Sequence, residues 1–138
     1  MRGRRAELKA IKGGLADVPP PPAAVPASMI EEWTTVAADL QRRGLLTGSM
    51  VGVLETYVLA RWTVQQAQAA IAEHGVLVKG AHGAPKPNPA AGILNKATET
   101  VARLAAEMGL TPASRSRKAL QPHERESDAD QAPAGLDL

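Results

Sequence analysis

The sequence predicts a mainly α-helical protein: a helical hairpin core with a short β-hairpin or ordered loop, assembled into a homo-oligomer. Three observations carry this expectation. Apolar residues recur at three- and four-residue steps over three separate segments, which is the helical period. Packing must rely on Ala, Val and Leu, because Phe and Cys are absent and the aromatics are Trp33, Tyr57 and Trp62. Such side chains suit close-packed helices better than a bulky β-sandwich core. The apolar stripes are also wider than a 138-residue chain can cover among its own helices, and self-association would bury the remainder.

Residues 1–27 read as a flexible basic arm and proline-rich linker. Arg2, Arg4, Arg5, Lys9 and Lys12 stand against one acid, Glu7. Pro19 to Pro22, with Pro26, block helix and central strand and favour an extended polyproline II spacer. The first helix is expected from Ser28, where Ser28 and Glu31 spell an S-x-x-E capping box. Ile30, Trp33, Val36, Ala37 and Leu40 form its apolar face. Arg42 and Arg43 suit the helix dipole at its end, and Gly44 stops it.

Thr47 is the expected N-cap of a second helix running to about His74 and closed by Gly75. Val53, Tyr57, Ala60, Val64, Ala67 and Ile71 form one stripe, widened by Met50, Leu54 and Val58. Val76 to Val78 are β-like, and Gly80, Gly83, Pro85 and Pro87 punctuate a hairpin or ordered loop. Asn88 and Pro89 open a third helix as N-cap and first-turn proline. Leu94, Ala97, Val101, Leu104 and Met108 line its apolar face, and Gly109 ends it. Thr111 and Pro112 start a short basic helix to about Leu120. The helical domain thus covers 28–118, and 119–138 read as a disordered acidic tail. Candidate core and oligomer contacts are Trp33, Leu54, Tyr57, Val58, Trp62, Val64, Ile71, Leu94, Val101 and Leu104.

Charge narrows the function class. The net charge is +2, but it is unevenly spread. Beyond the arm, Lys79, Lys86, Lys96, Arg103, Arg115, Arg117 and Lys118 make a second basic zone against Glu99 and Glu107. Glu124, Glu126, Asp128, Asp130 and Asp137 make the tail acidic against Arg125. Two basic zones point to a polyanion partner more than to a small substrate. No apolar run approaches the length of a membrane span, and the absence of cysteine fits a reducing cytoplasm. His74, His82 and His123 are scattered, the adjacent Glu31 and Glu32 point in different directions on a helix, and there is no P-loop pattern. No catalytic residue, metal site or cofactor is expected. The alternatives are a helix-turn-helix regulator turning at Gly44 to Thr47, and a scaffold or adaptor without a nucleic-acid role.

Four segments carry a family resemblance. Leu8 to Gly13 form a basic L-K-x-[LI]-x-G arm before the prolines. Trp33 to Thr47 follow a W-x-x-[LV]-x-x-x-L-x-x-x-G-x-L-[ST] pattern. Leu54 to Trp62 include a helix-borne tyrosine, Tyr57. Asn88-Pro89-Ala90 opens a helix that ends in Gly109-Leu110-Thr111-Pro112-Ala113-Ser114-Arg115-Ser116-Arg117, a G-L-T-P-x-S-R-x-R ending. Together these resemble the small subunit of tailed-phage terminases, in the branch with a basic, proline-punctuated N-terminus. The resemblance implies a non-enzymatic protein in the host bacterial cytoplasm. It would assemble as a ring, bind double-stranded viral DNA, and load a separate large subunit carrying the ATPase motor and nuclease. Phosphate contacts are then expected from Arg2, Arg4, Arg5, Lys9 and Lys12, and from Arg115, Arg117 and Lys118 with Ser114 and Ser116, with Lys86 a lesser candidate. The acidic tail would serve the large subunit.

Overall fold

The computed structural model describes residues 14–115. The N-terminal arm to residue 13, and everything after Arg115, lie outside the described residues. A 3-10 turn at Ala27–Met29 leads into α1 (Ile30–Arg42), followed by α2 (Gly48–His74). A two-stranded antiparallel hairpin, β1 (Leu77–Lys79) and β2 (Pro85–Pro87), precedes α3 (Pro89–Glu107) and the single turn α4 (Pro112–Arg115).

α1 starts later than the capping box suggests. Met29, not Ser28, holds the N-cap position, and no side chain caps the helix. The 3-10 turn accounts for this: Met29 is drawn into the core, and the Ile30 N–H donates to the Ala27 carbonyl. Ile30, expected on the apolar face, is exposed instead. The other end of α1 follows its sequence closely. Gly44 takes φ +70, its N–H donates to the Gln41 carbonyl, and the Leu45 N–H donates to the Leu40 carbonyl. That is a Schellman ending, which needs a residue free of Cβ strain in the left-handed region. α3 ends in the same way at Gly109, with φ +65 and with Leu110 N–H donating to the Ala105 carbonyl.

The Thr47 and Asn88 N-caps hold as expected. The Thr47 hydroxyl accepts from the Met50 N–H at 3.3 Å. The buried Asn88 side chain accepts from the Ala90 N–H at 3.0 Å and donates to the Gly75 carbonyl at 2.8 Å. The Asn88 N–H also donates to the Val76 carbonyl. One side chain thus caps α3 and ties it to the end of α2, closing the base of the hairpin. Because the end of α3 meets the start of α2 in the core, the two helices run antiparallel.

The core sits at one end of that pair. Trp33, Val36, Ala37 and Leu40 of α1 pack with Leu46, Leu54, Tyr57 and Val58, and with Leu104 and Met108. Trp62 and Val101 lie half-buried against this cluster. Towards the hairpin, packing passes to small residues, with Ala67, Ala90 and Ala97 buried. Val64, Ile71 and Leu94, expected as core or oligomer contacts, are half-buried there and outside the main cluster.

The proline run does not stand off as a spacer. Leu15 N–H donates to the Leu46 carbonyl at 2.8 Å, and Gln41 Nε2 donates to the Ala16 carbonyl at 2.6 Å. The fully buried Trp33 donates its indole N–H to the Pro19 carbonyl at 3.0 Å. Leu15, Val18 and Val25 pack on the core. A polyproline segment has no internal hydrogen bonds, so its carbonyls are free to satisfy a buried indole. Residues 14–26 therefore form a strap over α1.

Candidate nucleic-acid interface

Three of the described cations, Arg42, Arg43 and Arg115, gather at the core end of the molecule. Asp39, Arg42 and Arg43 stand at i, i+3 and i+4 on α1, a spacing that turns both arginines toward one carboxylate. Arg42 Nη2 pairs with Asp39 Oδ1, and Arg43 Nη1 lies 3.1 Å from Oδ2. Arg115 completes the group from α4, its Nη2 3.6 Å from the same Oδ2. Arg43 also donates to the Met108 carbonyl at 3.2 Å, and Arg115 Nε to the Gly109 carbonyl at 3.0 Å. These carbonyls belong to the end of α3, where the helix dipole favours cations.

Three guanidinium groups thus share one carboxylate, leaving a surplus of two positive charges. The members are not equivalent. The Arg43 and Asp39 side chains are only 13% and 17% exposed, so they brace the group. Those of Arg42 and Arg115 are 73% and 53% exposed and face solvent. Guanidinium forks offer several donors each and match phosphate oxygens well.

The T-P-x-S segment explains how Arg115 is presented. The Ser114 N–H donates to Thr111 Oγ1 and the Thr111 N–H donates to Ser114 Oγ, both at 3.2 Å. The Ser114 hydroxyl donates to the Thr111 carbonyl at 2.9 Å. This is a reciprocal cap with serine in the place usually taken by Glu or Gln. Ser114 is therefore buried and occupied, and the expectation that it reaches phosphate is corrected: its hydroxyl builds the turn that aims Arg115.

Not all expected cations meet here. Lys86 is exposed on β2, at the other end of the α2–α3 pair. A 27-residue helix separates the two ends, about 40 Å at 1.5 Å per residue. Within one copy, Lys86 and Arg115 cannot belong to one patch. Arg2, Arg4, Arg5, Lys9, Lys12, Arg117, Lys118 and Ser116 lie outside the described residues.

Sequence reasoning passed over Arg42 as a dipole partner alone. The signal was present in the D-x-x-R-R spacing, but the arrival of Arg115 was not. The placement of two members of the second basic zone was also missed. Lys96 and Arg103 of α3 edge an open groove of about 690 Å³ whose other wall is Thr56, Leu59 and Thr63 of α2. Their spacing of seven residues, two helical turns, was the available signal.

Tyr57 and Arg61 of α2 and Glu32 of α1 form another small constellation. Arg61 Nε lies 3.1 Å from Glu32 Oε1. Burial pushes the Tyr57 hydroxyl pKa above its ordinary value; neighbouring Arg61 opposes this and Glu32 adds to it. No group of three or more His, Asp or Glu residues is placed to hold a metal ion among the described residues. No helix among them is long and apolar enough to cross a membrane.

A protein-family model described as phage terminase, small subunit, matches residues 30–125. The chain belongs to that family. Neither a curated protein nor a solved structure matches it significantly. The family match spans α1 to α4, so the arginine group lies wholly within the part of this terminase small subunit that defines it.

Proposed function

We propose that this terminase small subunit binds double-stranded viral DNA through phosphate contacts, assembles as a homo-oligomeric ring, and recruits the large motor-nuclease subunit without catalysis of its own. The reading rests on the family match over residues 30–125, joined to the exposed arginine pair within it. Among the described residues, Arg42 and Arg115 are the proposed phosphate contacts, because their side chains face solvent. The arm residues Arg2, Arg4, Arg5, Lys9 and Lys12, with Arg117 and Lys118, extend them. Repetition around a ring multiplies weak contacts through avidity. The helix-turn-helix reading is less well supported, because Leu54, Tyr57 and Val58 of the would-be recognition helix are buried in the core.

The test is duplex binding by fluorescence anisotropy over a salt series. Arg42→Gln with Arg115→Gln should weaken binding and flatten its salt dependence, by up to about one unit of logarithmic slope for each phosphate no longer neutralised. Charge reversal of the arm should weaken binding more at about 50 mM than at about 200 mM salt. Affinity unchanged by both sets of substitutions would overturn the DNA reading.

A further inference from the structure

We propose that the acidic segment 119–138 of this same chain docks on the Arg42–Arg43–Arg115 group and competes there with DNA phosphate, so that the subunit restrains its own hold on nucleic acid. The competition rests on the DNA reading above; the docking does not.

The group itself supplies the first argument. One carboxylate serves three guanidinium groups, and Arg115 stands at the longest of the three distances, 3.6 Å. Its exposed members have donors to spare, since a guanidinium carries five N–H bonds. A surface with two uncompensated charges and outward-facing donors fits an acceptor-only polyanion.

The sequence supplies that polyanion. Glu124, Glu126, Asp128 and Asp130 place four carboxylates two residues apart, with Asp137 beyond and Arg125 the one cation. Like a nucleic-acid backbone, this is a linear series of negative charges. Residues 119–138 carry five acids against one base, a net of −4 by side chains, opposite in sign to the group.

Connectivity makes the encounter intramolecular. Glu124 follows Arg115 by nine residues, a link that spans at most about 30 Å. The first acid thus cannot leave the neighbourhood of the arginines. A tether of this length holds it at an effective concentration on the order of mM. Ion pairing too weak to persist between separate molecules is then occupied much of the time at low salt, and gives way to DNA, which offers more phosphates at once.

The experiment uses the full chain. Because the protein has no cysteine, Ala132→Cys accepts a single nitroxide label, whose mobility is read by electron paramagnetic resonance. At about 50 mM salt the label should be restrained. It should become mobile at about 500 mM salt, on joint E124Q, E126Q, D128N and D130N substitution, and on Arg42→Gln with Arg115→Gln. Neutralising the four carboxylates should also tighten duplex binding about three- to tenfold at low salt, an effect lost in the arginine-substituted background.

A label already mobile at low salt would overturn docking. So would restraint that persists after the arginine substitutions, since Arg117, Lys118 or another surface would then be holding the segment. A restrained label with DNA affinity unmoved by neutralisation would overturn competition. If neither form binds DNA, the DNA reading fails and takes competition with it, while the label still decides docking.

Discussion

Trp33 shows how much one side chain carries. It is fully buried, and its indole bonds the strap through the Pro19 carbonyl. Trp33→Ala should cost about 3–5 kcal/mol, as expected for loss of a large buried aromatic. Trp33→Phe keeps most of the volume and loses the hydrogen bond, so about 1–2 kcal/mol is expected. Urea unfolding followed by circular dichroism separates the two. The Phe variant should also expose residues 14–26 to protease before the body unfolds, because the strap loses its central anchor. Tyr57 offers a second residue-scale test, and as the chain's single tyrosine it is spectroscopically isolated. Its raised pKa means that the folded state resists losing the phenol proton more than the unfolded state does. The corresponding stability is intact below the unfolded pKa of about 10 and is lost as pH rises through the folded value. Tyrosinate absorbance should titrate higher in the folded protein than in urea. A Tyr57→Phe variant should lose this part of the alkaline destabilisation. Coincident titrations in the two states would show that the hydroxyl is not desolvated.

At the scale of elements, what the sequence revealed divides by the range of the interaction. Gly44, Thr47, Asn88 and Gly109 each act on backbone within a few residues, so their caps and stops are legible from local pattern. The glycine-punctuated hairpin was legible for the same reason. Ser28 misled because the capping-box pattern takes no account of Met29, whose burial depends on the core beyond it. The strap was missed because proline content predicts a backbone shape and says nothing of where that backbone lies. Leu15, Val18 and Val25 were its readable apolar signals, sparse and without period. The partnership of Arg115 with Asp39 joins residues far apart in the chain, which no spacing rule anticipates. α4 gives this reasoning a test. Ser114→Ala removes a buried hydroxyl that caps its own turn, and should cost about 1–2 kcal/mol. If the turn aims Arg115, this variant should weaken duplex binding as Arg115→Gln does, whereas Ser114→Thr should keep most of both. A stable Ser114→Ala protein with normal DNA affinity would separate the cap from the cation.

On the scale of the whole molecule, burial is lopsided. The core cluster occupies one end, while the hairpin end holds its helices together largely through alanine. Apolar side chains remain outside: Val76 and Leu77 are 62% and 61% exposed and Ile93 is 52% exposed, while Val64, Ile71 and Leu94 are half-buried. A helix with apolar residues all round is ordinarily a buried helix, yet only Leu54, Tyr57, Val58 and Ala67 of α2 are buried. The proposed ring resolves the mismatch if neighbouring copies cover the hairpin end and leave the arginine group free for DNA. Placing a charge there then acts on assembly rather than on folding. Ile93→Glu and Leu77→Lys should each reduce the mass of the assembly in native mass spectrometry and light scattering. The helical circular dichroism should stay intact, because neither residue belongs to the core cluster. Duplex affinity should fall with the mass, since avidity is lost, while each dissociated copy keeps the weak affinity of its own arginines. Unchanged mass in both variants would move the oligomer interface away from this end. A wild-type chain that is monomeric at micromolar concentration would remove the ring.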